Sequence, residues 1–213
     1  MNCDKNTMLL YAVTDRRWTG GRTLYEDVEK ALSGGVTALQ LREKDLPYDD
    51  FLKEAREISA LCKRYGVPFI INDNVEIAYA VKADGIHVGQ SDMECRKVRE
   101  ALGEQVILGV SAGTREQAIA AVNAGADYLG VGAVFQTGTK NDADFVSFDA
   151  LKSITSAVSV PVCAIGGITA DNMVKLQGSG IDGVALVSAI FAADEITKTC
   201  QELLNTSKRL FSK

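Results

Sequence analysis

Short apolar runs recur along the chain, and most give way to a stretch with helical spacing. The runs are "MLLYAVT", "VTALQLR", "VPFIIND", "GIHVGQ", "VILGVSA", "DYLGVGAVF", "VPVCAIGG" and "DGVALVSA". They begin near Met8, Val36, Val67, Gly85, Val106, Asp127, Val160 and Asp182. Strands that are apolar throughout and alternate with helices imply a parallel sheet covered by helices. Between the runs lie segments such as "YDDFLKEAREISALCKRYG" and "TREQAIAAVNAG". In the second, Ala118, Ala121 and Val122 fall at helical spacing with Ile119 beside them. Gly66, Gly103, Gly125 and Gly180 stand where helices should stop.

About eight such repeats in 213 residues predict the smallest form of a (β/α)₈ TIM barrel, one α/β domain over 1–213. A doubly wound open sheet is the rival. The strand count favours the barrel, and the first β–α turn has no GxGxxG. The segments "SGGVTALQLR" and "NAGADYLGVG" share a glycine-then-strand grammar, as repeated βα units should.

Composition narrows the partners. Apolar residues make up 46% and charged residues 24%, the balance of a soluble globular protein. The net charge is −5 and no dense Lys/Arg run occurs, which argues against nucleic acid and for a small-molecule partner held by a few local cations. The five cysteines form no CxxC pair, so neither a zinc site nor a disulfide framework is expected. Reduced thiols, no apolar run of membrane-spanning length and no signal peptide in "MNCDKNTMLLYAV" lead to a cytoplasmic expectation with no membrane partner. Self-association as a homo-oligomer is left open.

The working face of a barrel is at the C-terminal ends of its strands. The second run ends in "LQLREKD", where alternation puts Gln40, Arg42 and Lys44 on one face. Two cations aimed at a dry core would cost several kcal/mol per unpaired ion, so they call for an anion. The other strand ends carry Thr14-Asp15, Asn72-Asp73, Gln90-Ser91-Asp92, Ser111, "QTGTK", Gly166-Gly167 and Val187-Ser188. Glycines allow close backbone approach, and N–H groups at a helix start bind anions. Gly166-Gly167 alone reads as a tight turn and Ser188 alone as an N-cap; together, after strands seven and eight, they point to a phosphate. Asp73 and Asp92 suit Mg²⁺, though either could be a helix-capping group. Thr137, Thr139 and Lys140 are phosphate donors on a long loop, or a plain solvated loop. His87, the only histidine, reads as a barrel-interior residue rather than a base, and no GxSxG elbow accompanies it.

These pieces, in order, resemble the thiamine phosphate synthase family. The resemblance rests on "QLREK", "IND", "ADGIHVGQSD", "GVSA", "GAVFQTGTK", "AIGGI" and "VALVSAI", spread over about the first 190 residues. It implies a barrel that joins hydroxymethylpyrimidine pyrophosphate to hydroxyethylthiazole phosphate, or its carboxylated form, releasing pyrophosphate. By motif position, Gln40, Arg42, Lys44, Asn72, Ser111 and Lys140 would hold the pyrimidine pyrophosphate, with Leu41 and Glu43 between them on the same stretch. Arg42, Lys44, Ser111 and Lys140 would be the catalytic set. Thr137, Gly138, Thr139, Gly167, Val187 and Ser188 would hold the thiazole phosphate, and Asp73 and Asp92 would bind the Mg²⁺ cofactor. The chain departs from the family's usual Pro at Ala133 and from its frequent His or Ser at Gly113. No strong base is needed for this chemistry, because the thiazole nitrogen is already nucleophilic and an electron-rich aminopyrimidine can stabilise positive charge on its CH₂. Three rivals remain: a thiazole tautomerase-like relative, a sugar-phosphate isomerase or aldolase, and a non-catalytic barrel that binds thiamine phosphate.

Overall fold

The eight apolar runs form the eight strands of a closed parallel barrel in the computed structural model, which describes residues 3–89, 95–136 and 145–212. The strands are β1 (Leu10–Val13), β2 (Ala38–Leu41), β3 (Phe69–Asn72), β4 (Gly85–Val88), β5 (Ile107–Ala112), β6 (Tyr128–Val131), β7 (Val162–Ile165) and β8 (Gly183–Leu186). Each pairs with the next, and β8 pairs back onto β1, so no sheet edge remains. The helices are α1 (Leu24–Ser33), α2 (Tyr48–Tyr65), α3 (Val75–Val81), α4 (Cys95–Leu102), α5 (Arg115–Asn123), α6 (Phe148–Thr155), α7 (Ser188–Phe191) and α8 (Ile196–Phe211).

Alternation along each strand makes two cores. Outward residues such as Leu39, Leu41, Ile71, Ile86 and Leu129 pack beneath the helices. Inward residues Tyr11, Val13, Ala38, Ile70, Tyr128, Cys163 and Ala185 fill the barrel. The helices follow their sequence pattern. In α2 the buried residues Phe51, Ala55, Ile58, Leu61 and Cys62 recur at helical spacing, and Gly66 ends the helix at φ 67. A capping box starts α1, with Thr23 accepting from the Glu26 N–H and Glu26 accepting from the Thr23 N–H.

One expectation changes. A full helix after β7 is replaced by a 3₁₀ turn at Met173–Leu176, with Met173 and Leu176 buried. Gly180 therefore turns the chain toward β8 at φ 86 rather than ending an α-helix.

A device repeats four times at the N-terminal end of the barrel. The residues before β2, β4, β6 and β8 are Thr37, Asp84, Asp127 and Asp182. Each side chain accepts an N–H from the first or second residue of the preceding strand. The bonds are Leu10 N to Thr37 Oγ1 at 2.8 Å, Phe69 N to Asp84 Oδ2 at 2.9 Å, Leu108 N to Asp127 Oδ2 at 2.8 Å and Val162 N to Asp182 Oδ2 at 3.0 Å. These groups satisfy strand N–H donors and pin the register of successive strand pairs. They are the physical content of the shared glycine-then-strand grammar.

Candidate active site

The main cavity opens among the C-terminal strand ends. Its wall takes Val13 from β1, Arg42 from just past β2, Asn72 from β3, His87 from β4, Ser111 from β5 and Gly130 from β6. Gly166, Gly167 and Ile168 follow from β7, and Val187 and Ser188 from β8. A second cavity adjoins it at Arg42 and is lined by Asp15, Arg16, Arg17, Glu43, Lys44, Asp45 and Leu46. Six of the expected residues, Arg42, Asn72, Ser111, Gly167, Val187 and Ser188, thus share one cavity.

Arg42 stands where the two cavities meet. Its backbone N–H donates to the buried Thr14 Oγ1 at 3.0 Å, which ties the loop after β2 to the end of β1. Among the described residues its guanidinium has no ion-pair partner, whereas Arg16, Arg17 and Arg22 each hold a carboxylate. A partly buried guanidinium facing a cavity suits a ligand anion, which it can grip bidentately.

Lys44 and Asp73 meet across the rim, Nζ to Oδ2 at 2.5 Å, and Asn72 Nδ2 donates to the same oxygen at 2.6 Å. Asp73 sits at φ 63, a left-handed conformation uncommon for a side-chain-bearing residue. Such strain costs about 1–3 kcal/mol and collects at functional sites. The capping alternative fails here: the N-cap of α3 is Asn74, whose Oδ1 accepts from the Ile77 N–H at 2.9 Å. Asp73 is therefore a hard carboxylate oxygen at the rim beside cations. That donor chemistry fits Mg²⁺, which takes one or two carboxylates and completes its shell with water and phosphate oxygens.

The remaining expected residues divide into two groups. Gln40 is 4% exposed, beneath the pocket, and its Nε2 donates to the Tyr11 hydroxyl at 2.7 Å. Leu41 points outward into the helix-facing core. The Glu43 carboxylate turns to Arg16 Nε at 2.8 Å, and Arg16 also holds Glu54 at 2.9 Å. Burial, then the neighbouring Glu43, pushes Glu54 up to about 7 against the opposing pull of Arg16. The side chains of Leu41 and Glu43 are thus no part of the main pocket wall. Asp92, Thr137, Gly138, Thr139 and Lys140 lie outside the described residues.

Two glycines and a serine resolve the readings at strands seven and eight. A Cβ at Gly167 would sit 2.3 Å from the Gln136 carbonyl oxygen, and one at Gly166 2.5 Å from the Ala133 Cβ. With φ of 99 at Gly166 and 65 at Gly167, the pair lets the segment after β6 run close, held by the Phe135 N–H on the Gly166 carbonyl. They are a tight turn and a pocket wall at once. Ser188 is the first residue of α7, whose N-cap is Val187, so its hydroxyl is not spent on capping.

The interior position expected for His87 is confirmed, but its place on the pocket wall was not foreseen. The signal was available. In "GIHVGQ" the alternation puts His87 on the inward face, level with Asn72 on β3 and Gly109 on β5, and its Nε2 reaches Ser111 Oγ at 3.0 Å. Trp18 ends a 3₁₀ turn and is 37% exposed, and it does not line the main pocket.

A family model described as thiamine monophosphate synthase matches residues 10–190. The chain belongs to this family. Among curated relatives, the thiamine-phosphate synthase of Clostridium tetani is 48% identical, covering 91% of this chain and 93% of the relative. That of Clostridioides difficile is 49% identical over 93% of this chain and 94% of the relative. The solved structure of thiamine phosphate pyrophosphorylase from Pyrococcus furiosus superposes with a TM-score of 0.90 at 36% identity, covering 98% of this chain and 99% of that one. KGPDC from Streptococcus mutans, at 13% identity and a TM-score of 0.67, shares the fold alone. Membership in the thiamine monophosphate synthase family makes the protein a transferase of thiamine biosynthesis. Among the described residues no helix is long and apolar enough to cross a membrane.

Proposed function

We propose that the transfer joins hydroxymethylpyrimidine pyrophosphate to hydroxyethylthiazole phosphate, giving thiamine phosphate and pyrophosphate by a dissociative substitution. The observation that carries this is Arg42, a guanidinium without a carboxylate partner among the described residues, at the junction of two cavities. The pyrimidine sits against Asn72 and Ser111 with Gln40 beneath it. Its pyrophosphate extends past Arg42 toward Lys44, and Lys140, outside the described residues, would be a further donor to it. The thiazole phosphate lies against Gly167, Val187 and Ser188, and Thr137, Gly138 and Thr139, which lie outside the described residues, would be its further donors.

Arg42 and Lys44 stabilise the negative charge that grows on the leaving pyrophosphate as the carbon–oxygen bond breaks. Lys44 would leave Asp73 for a phosphate oxygen as the substrate binds. Mg²⁺ held by Asp73 and Asp92 would supply further positive charge at the leaving group. The apolar wall of Val13, Ile168 and Val187 holds the thiazole nitrogen near the CH₂ and limits water. No side chain needs to take a proton from the nucleophile. The protein acts in the cytoplasm on these small molecules.

The test is direct. Both substrates with Mg²⁺ should give thiamine phosphate, read as fluorescent thiochrome after oxidation. No product at micromolar enzyme would sink the reading.

A further inference from the structure

Glu43 stands between Arg42 and Lys44, and all three line the second cavity. A carboxylate beside two cations is an internal rival to any anion they bind. The fold turns this one away. Arg16 Nε donates to Glu43 Oε2 at 2.8 Å, and Arg16 Nη2 donates to Glu54 Oε1 at 3.1 Å and Oε2 at 2.9 Å. The Glu43 side chain is 4% exposed, and its other oxygen, Oε1, is buried without a hydrogen-bond partner among the described residues. Arg16 is thus the countercharge of a carboxylate that is otherwise poorly satisfied. Such a group stays buried only while its partner is present, because an unpaired buried charge is strongly destabilising. Strand pairing does not set the direction of Glu43, since β2 ends at Leu41. Both ends of the clamp are anchored. Arg16 opens the 3₁₀ turn Arg16–Trp18, which Asp15 caps by accepting the Arg17 N–H at 3.1 Å. Glu54 lies one helical turn after Phe51 and one before Ile58, both buried on α2.

We infer that Arg16 is a positioning residue, braced by Glu54, that draws the Glu43 carboxylate away from Arg42 and Lys44 and so leaves their charge to the incoming pyrophosphate. This rests on the pyrimidine pyrophosphate reading above and deepens it. Without Arg16, Glu43 would leave its buried position for the cavity it already lines, where Arg42 and Lys44 are its neighbours in the chain. Lys44 already holds one carboxylate, Asp73, at the rim. A second carboxylate there would compete with the substrate's phosphates for both cations and repel them as a like charge. The groups expected to hold the thiazole phosphate, Gly167, Val187 and Ser188, share no residue with this clamp.

A double-mutant cycle on Arg16 and Glu43 tests this. Arg16→Ala should raise KM for the pyrimidine pyrophosphate by about tenfold or more, the change falling on KM rather than kcat, with KM for the thiazole phosphate within about twofold of the wild type. Combining Arg16→Ala with Glu43→Gln removes the released charge and should return that KM to within about threefold of the wild type. Glu43→Gln alone completes the cycle. Arg16→Lys keeps one cation for Glu43 and should raise KM less than Arg16→Ala. Thermal unfolding checks that each variant is folded at the assay temperature. A merely structural Arg16, or one that touches the pyrophosphate itself, would give no rescue. A double variant with KM as high as that of Arg16→Ala would therefore overturn the inference, as would an unchanged KM in Arg16→Ala. Inorganic pyrophosphate with Mg²⁺, titrated by calorimetry, reads the same cycle without turnover. A wild type that binds it, with rescue in the double variant but no thiamine phosphate formed, would support the clamp and overturn the substrate assignment, which separates the two failures.

Discussion

Replacing Asp182 by alanine should weaken the barrel and leave its chemistry alone. Asp182 is 5% exposed and stands before β8, at the end of the barrel away from the pocket. Its Oδ2 accepts the Val162 N–H at 3.0 Å, and its Oδ1 meets Lys5 at 2.8 Å. Lys5 is 59% exposed, so that ion pair is worth about 0–1 kcal/mol. The Val162 N–H is a different matter. Alanine would leave it buried without its side-chain acceptor, at a cost of about 1–3 kcal/mol. A total near 2 kcal/mol lowers the melting temperature of a chain this size by about 4–8 °C. Asp182→Asn keeps an acceptor oxygen and should lose about half as much. Thermal unfolding by circular dichroism gives the shift, and kcat at saturating substrates, measured well below the transition, should stay at the wild-type value. An unchanged melting temperature would refute the clamp, and a lost kcat in a folded variant would refute the separation of a stability face from a working face.

Arg42→Ala should lower kcat/KM for the pyrimidine pyrophosphate by about 100- to 1,000-fold while the variant melts normally, because among the described residues no carboxylate stands within ion-pair distance of its guanidinium; wild-type kinetics would contradict this. Asp73→Asn should raise the Mg²⁺ concentration needed for half-maximal turnover several-fold, measured by titrating the metal, and an unchanged titration would remove Asp73 from the metal site. Glu54 binds its proton more tightly folded than unfolded, since burial and Glu43 raise it from 4.5 to about 7. Its contribution is therefore fully present below the unfolded value and is lost as pH rises through about 7. Glu54→Gln should flatten the decline of melting temperature across that window, and an equally steep decline would show that other groups set it.

The barrel was legible because every strand is a mostly apolar run, with few polar residues on its inward face, so its position survives a reading based on hydrophobicity alone. Strand starts expected near Val67 and Val160 appear at Phe69 and Val162, a shift of two residues. The segment from Thr169 to Gly180 was misread as a helix because two apolar anchors, Met173 and Leu176, satisfy a 3₁₀ turn as well as an α-helix. Within the site, residues at or just past the strand ends were legible from type and place together: Arg42, Asn72, Ser111 and Ser188 all reach the pocket. What local pattern could not supply was the partner of each group. Glu43 lies between Arg42 and Lys44 in sequence, yet its carboxylate is taken by Arg16 from the preceding loop. The hydrogen bonds that link Ser111, His87, Tyr128, Tyr11 and Gln40 join five strands and depend on the missing Cβ atoms of Gly109 and Gly130, which only the closed barrel brings against Tyr128 and His87.

Phosphorus NMR of a complete reaction tests the central claim most directly. With both substrates and Mg²⁺, the pyrimidine pyrophosphate signals should be replaced by free pyrophosphate, and the thiazole phosphate signal by thiamine phosphate, in equal amounts. Omitting the thiazole phosphate should suppress thiamine phosphate formation. Turnover of the thiazole phosphate with the pyrimidine pyrophosphate left intact would contradict the account.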